Sequence, residues 1–482
     1  MKTFTAYGWT VCAWLLVTPF QYGYHISVLN QIQAVLTCKQ RESFDSDATR
    51  LPLCIPMDDF TFSAVTAVFT IGGLLGSVVA NLVTDKYGRK GATRASALLA
   101  ALGTAFMTVA GSVGIMAFGR LLVGMGSGIG LCVGPIYLSE IAPPSISGNV
   151  GVLTQLSIVL GIMITQLLGI NLATPTTWRL VLFASCALSI FQLLTSAIAC
   201  ETPAYLGGKG LHEQKRAISQ RLWGTASNIA RAEVTDASSP STTIFDEEGG
   251  TADSSVKDPL LSVNEVEDDE VEARRHEPRE AVVTIPQLFA KPELRQPLMI
   301  VCLAMMSQQV SGINAVLYYS NDILSKALPD FGPYISLGIT VVNVLMTFPP
   351  IVLIEKMGRR PLLTASTVGA IVSLLAVGYG LDSNYVALSS IAIITFVMSF
   401  AIGLGPVPFV MIPEVSPFYA VSALSSTGLS LNWIANFFVG LIFLPLRNFL
   451  SGASHDKDGR VFYLFAFILA LSMGALSRVY RG

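Results

Sequence analysis

Twelve runs of mostly apolar residues, each near the ~20 residues that a helix needs to cross a hydrocarbon core, dominate this chain. They fall at about 7–28, 60–84, 92–110, 113–137, 149–171, 178–199, 297–325, 332–354, 361–381, 385–412, 421–447 and 461–480. Only 13% of the 482 residues are charged, against roughly a quarter in a soluble domain. That excludes an ordinary water-soluble fold and a disordered chain, and makes the lipid bilayer the solvent. Thirty basic residues face 32 acidic ones, a net charge of −2, so no basic field exists to attract nucleic acid. The run from Tyr7 to Val28 is too long for a signal-peptide core and reads as a retained first span.

The runs form two sets of six. The expected domains are a six-helix bundle over 1–199, a linker over 200–296 and a second bundle over 297–482. Stretches such as Ser238–Thr243 and Glu265–Glu272 are too polar to bury a core, so the linker is expected to be partly disordered, with local helix around His212–Glu233. It could also bind a cytoplasmic protein partner. Lys86, Arg89 and Lys90 follow the second span, and Lys356, Arg359 and Arg360 follow the eighth. The excess of positive charge on cytoplasmic loops then puts both termini and the linker in the cytoplasm. Cys38 and Cys54 share a loop on the opposite side, where a disulfide is plausible and two free thiols are the alternative. Plasma membrane and vacuolar or other endomembranes fit equally.

The two sets echo each other. Asp85-Lys86-Tyr87-Gly88-Arg89-Lys90 ends the second span, and Glu355-Lys356-Met357-Gly358-Arg359-Arg360 ends the eighth. Arg89 precedes Glu140 by 51 residues, and Arg359 precedes Glu414 by 55. Many carriers are built from parallel repeats of this kind.

Amides are stranded in these lipid-length runs: Gln155 and Gln166, then Gln308, Gln309 and Asn314, then Asn343, and finally Asn432 and Asn436 beside Trp433. A polar group in hydrocarbon must find partners, so these side chains should face the bundle interior or a wet cavity. Interhelical hydrogen bonding, worth about 0.6 kcal/mol per bond, would explain any one of them. As a set they suit a hydroxyl-rich neutral solute, because hydroxyls and amides each both donate and accept. Gln308 and Asn314 are about 120° out of line on a straight helix, so a break near Gly312 would let both face one cavity. No metal-ligand spacing, phosphate-binding glycine loop or nucleophile–base pair is present, so neither enzyme chemistry nor a cofactor or metal is expected.

The pattern resembles the sugar porters of the major facilitator superfamily (MFS), which include facilitative glucose transporters and fungal hexose transporters. The carrying segments are Asp85–Lys90, Gly119–Arg120, Pro135–Pro143, Gln308–Ser320, Glu355–Arg360, Gly405–Glu414 and Asn432–Asn436. The resemblance implies an all-α membrane protein with twelve transmembrane helices in two six-helix bundles, a partly disordered cytoplasmic linker, and a sugar site between the bundles. It implies sugar contacts from Gln155, Gln308, Gln309, Asn314, Asn343 and Asn436, with Trp433, Tyr318 and Tyr319 as wall and gate. Phe409 stands where many members have Trp, and Ala401 where many have Glu.

The resemblance also implies a cytoplasmic latch of Arg89, Glu140, Glu355, Arg359, Arg360 and Glu414. Ser147, Ala204 and Val421 replace arginines usual in that network, which predicts a weaker latch and a bias toward inward opening. Proton-driven members carry an Asp where this chain has His25, with Arg120 as its neighbour. A nearby cation disfavours a second positive charge. The expected activity is therefore facilitative movement of a monosaccharide or similar polyol. Proton symport through His25, and a transport-dead sensor or sorting factor, are the alternatives.

Overall fold

The computed structural model describes residues 4–38, 52–224, 283–313, 316, 334–451 and 459–480. Among these residues all regular structure is helical. Asn314, Tyr318 and Tyr319, and most of the linker, lie outside them.

The first half comprises α1 (Ala6–Leu36), α2 (Asp59–Thr108), α3 (Val113–Ile141), α4 (Ser147–Leu172) and α5 (Trp178–Leu194). Two short helices follow, α6 (Pro203–Gly208) and α7 (His212–Trp223). After the linker come α8 (Ile285–Ala290), α9 (Arg295–Val310), α10 (Ile335–Met357), α11 (Arg359–Asp382), α12 (Val386–Ser399), α13 (Val407–Val415), α14 (Val421–Ser451) and α15 (Arg460–Val479). Nine of the described helical stretches are long and apolar enough to span a bilayer. α2 counts twice, because it turns at Gly88; α1 and the half-span α9 complete twelve. The twelve form two bundles, one from each half. One buried apolar cluster comes mainly from α1–α5 and another mainly from α9–α15. α2 packs on α14 and α4 on α10, joining the halves.

Local chemistry sets the helix ends. Thr5, Asp58 and Ser112 each accept a backbone N–H in the first turn of α1, α2 and α3, satisfying donors that have no partner within the helix. The paired turns use glycine for a different reason. Gly88 has φ 78° and Gly358 has φ 85°, a region closed to most side chains. Both basic turns are thus the same backbone device.

An even number of spans places both chain ends on one face, here the terminal face. Gly88, Gly358 and the first turns of α4 and α14 lie there. On the opposite face, Cys38 and Cys54 form a disulfide with Cα atoms 5.3 Å apart. Beside it Leu36 O accepts from Ile55 N at 2.8 Å, and Leu53 O accepts from Trp178 Nε1 at 2.7 Å.

Candidate functional site

Two helices lose their regularity at mid-membrane. α9 stops at Val310, and Gly312 has φ 78°, so the break expected there is present. In the tenth span a π-helical turn, Phe400–Leu404, separates α12 from α13. There the Leu404 N–H donates to Ser366 Oγ at 2.9 Å. The carbonyls of Leu404 and Gly405 then accept from Gln308 Nε2, at 3.3 and 2.9 Å. Unwound backbone inside a membrane survives only where protein or a wet cavity satisfies it.

Four amides converge on this break. Asn432 Nδ2 donates to Gln308 Oε1 at 3.0 Å and to Met305 O at 3.1 Å. Asn432 Oδ1 accepts from Gln309 Nε2 at 3.1 Å. Gln155 comes from α4 in the other half; a Cβ at Gly405 would lie 3.3 Å from its amide. Further polar atoms on these and adjoining helices have no protein partner: Asn343 Oδ1 on α10, Gln166 Oε1 on α4 and Trp433 Nε1 on α14 are buried and unpaired. Asn436 is half-buried one turn beyond Asn432, and Phe409 is buried.

An aromatic group closes one side. The Trp433 ring meets Tyr22 edge-on at 5.6 Å and Phe69 at 5.7 Å. Gly73 admits it: a Cβ there would lie 2.5 Å from the indole. Behind Phe69 sits Arg120, its guanidinium 4.5 Å from the ring centroid. Arg120 NH1 donates to His25 O at 2.9 Å, and His25 Nε2 shares a hydrogen bond with Ser185 Oγ at 2.7 Å. No carboxylate pairs with Arg120 among the described residues.

The residues expected to form a latch sit on the terminal face. Arg89 binds Glu140 with three contacts of 2.8–3.2 Å. Arg359 binds Glu414 at 2.6–3.0 Å and Glu355 at 3.2 Å. Arg360 is exposed on the adjoining turn. Glu201 accepts backbone N–H bonds from Arg89 at 3.0 Å, Lys90 at 3.2 Å and Thr202 at 3.1 Å. Burial pushes its carboxyl up from the ordinary value.

The halves meet here, and the inward opening expected from the missing arginines is not the state of this structure. Asp85 lies beside Ser422 in the first turn of α14. Glu355 faces Gly148 in the first turn of α4, where a Cβ would lie 2.3 Å from its carboxylate. Arg89 also lies 5.4 Å from the Phe418 ring. The unpaired N–H groups and positive end of each helix face an acid from the other half, a favourable pairing. Ser147 and Val421, where the resemblance leads one to expect arginine, are the first residues of those same helices.

Sequence reasoning listed Asn432 only among the stranded amides and did not make it the hub of the network. Tyr22 and Phe69 carried no signal, since an aromatic residue in an apolar run looks like any packing residue.

A family model described as "Sugar (and other) transporter" matches residues 11–243 and 246–476. The chain is 31% identical over 463 residues to the Probable metabolite transport protein YBR241C of Saccharomyces cerevisiae, covering 94% of this chain and 88% of that protein. It is 32% identical over 471 residues to the sheep (Ovis aries) facilitated glucose transporter member 3 of solute carrier family 2, covering 94% and 86%. Among solved structures, the MFS proton:xylose symporter XylE bound to 6-bromo-6-deoxy-D-glucose superposes with a TM-score of 0.74 at 17% identity, covering 97% of this chain and 94% of that one. At that identity the likeness establishes the fold. This multi-pass membrane protein belongs to the sugar (and other) transporter family.

Proposed function

We propose that the chain carries a monosaccharide or similar polyol across the bilayer by alternating access, as a facilitative carrier without proton coupling. One observation supports this above the others: Gln155, Gln308, Gln309 and Asn432 converge on one backbone break, and Asn343 and Trp433 carry further buried polar atoms without a protein partner. All are neutral and most can both donate and accept, the chemistry a polyol requires. With Phe409 in the wall and alanine at position 401, the cage is less polar than one with indole and carboxylate there. Asn314, Asn436, Tyr318 and Tyr319 complete the proposed site and its gate. In this reading the terminal face is cytoplasmic, and the Arg89, Glu140, Glu355, Arg359, Arg360 and Glu414 latch opens as the bundles rock.

Counterflow of labelled hexose in proteoliposomes tests the proposal; a chain that exchanges no hexose or polyol is not this carrier. The absence of coupling rests on Arg120 and His25. A protonated His25 would put a second cation beside a buried guanidinium, at high cost in low dielectric. Symport through His25 remains the second reading, favoured by its unpartnered Nδ1. Uphill uptake that an uncoupler abolishes would establish symport instead.

A further inference from the structure

A cavity of about 600 Å³ opens at the terminal face, outside the amide network. It lies between the start of α1, the turn in α2, the chain after α5, and helices α6 and α7. Its walls are apolar where Tyr7, Ile198, Leu206 and Ile218 line it, and cationic where Lys90 and Arg221 reach in. Lys90 Nζ gives one hydrogen to Ala199 O at 2.5 Å, which leaves two ammonium donors for another acceptor. The Arg221 guanidinium stacks on the Tyr7 ring at 4.3 Å and meets no carboxylate among the described residues. Stacking fixes its plane and leaves its edge donors available. The one acid on the wall, Glu201, is occupied by three backbone N–H groups. The cavity therefore offers cations to an anion.

It also connects to the lipid-facing surface. Ile198 lines the cavity and is 48% exposed. Phe191 and Leu194, at 58% and 76% exposed, form an apolar stripe on the last turns of α5, just before Ile198. Positions 191 and 194 are one turn apart on α5, and Ile198 follows the 3-10 turn Thr195–Ala197 directly after that helix. A soluble anion would leave this stripe and the apolar wall unused.

We propose that this cavity seats the headgroup of an anionic phospholipid, its phosphate held by Lys90 and Arg221, with an acyl chain along Ile198, Leu194 and Phe191. The lipid would brace α7 against the turn that carries Arg89, and so tie bilayer composition to the latch.

The test is native mass spectrometry of the full chain extracted from phosphatidylcholine nanodiscs containing phosphatidylinositol. Wild type should retain one phosphatidylinositol. Arg221→Gln should weaken retention about fivefold, since a basic residue near an anionic surface contributes about 1 kcal/mol, and Lys90→Gln with Arg221→Gln should weaken it further. Thermal unfolding supplies a readout within each variant: phosphatidylinositol should raise the Tm of wild type and not that of Arg221→Gln. Should the double variant not fold, Ile198→Glu, which blocks the acyl path, must show the same loss. Equal retention by wild type and Arg221→Gln would overturn the site. Displacement of the lipid by glycerophosphoinositol, which has the headgroup without chains, would overturn the lipid and leave a soluble phosphate ligand.

Discussion

Asn432 donates to Gln308 Oε1 at 3.0 Å, across the seam between α14 and α9. The same side chain holds Gln309 through its oxygen. One asparagine thus orients two glutamines, and Gln308 in turn is aimed at the broken backbone of the tenth span.

Replacing that hub should disturb binding more than folding. Asn432→Ala frees both glutamines and leaves a buried amide partner unsatisfied, a loss of about 1–3 kcal/mol. Hexose KM should rise about tenfold or more, with the monodisperse yield of protein unchanged. Zero-trans uptake over a range of sugar concentrations reads this directly.

Gly73 and Trp433 make a paired prediction. Gly73→Ala puts a methyl group where the indole sits, and overpacking of this kind costs about 1–3 kcal/mol. The Tm should fall. Trp433→Phe combined with Gly73→Ala should recover part of that loss, because the smaller ring vacates the space. Purely additive Tm changes would show that the two residues do not share this contact.

The two paired turns should tolerate substitution unequally. Alanine at either Gly88 or Gly358 meets a strained backbone, at about 1–3 kcal/mol. At Gly88 a Cβ would also lie 2.4 Å from the Glu201 carboxylate, whereas at Gly358 the nearest group is Pro361 at 3.9 Å. Gly88→Ala should therefore lower the Tm more than Gly358→Ala, as a thermal-shift series would record.

The two ion pairs on the terminal face also differ. The Arg89 and Glu140 side chains are 4% and 9% exposed, those of Arg359 and Glu414 21% and 27%. Removing one partner of a buried pair strands a charge, at about 3–5 kcal/mol; water compensates a more exposed pair. Arg89→Ala should be the more destabilising variant. A cysteine at Ser147 should react slowly with a water-soluble maleimide in the wild-type background. It should react faster in Glu355→Ala, which removes the acid facing the first turn of α4.

Much of the architecture was legible because bilayers impose length. A run such as 361–381 announces a spanning helix by composition alone, and the matched turns around Gly88 and Gly358 announce the repeat. The break at Gly312 was legible too, since Gln308 and Asn314 could not share one face of a straight helix. The approach of Asp85 to Ser422 was not. It depends on a helix end from the other half, over 300 positions away, and no local pattern encodes that approach.

The sequence alone determined the solvent of this protein, the number of its spans and the neutral chemistry of its interior, because those follow from hydrophobicity and residue type summed along the chain. Only the tertiary structure decided which amides meet, that Trp433 packs edge-on against both Tyr22 and Phe69, and that acids from one half close on helix ends of the other at the terminal face. Those are matters of direction and distance, set when helices remote in sequence pack together.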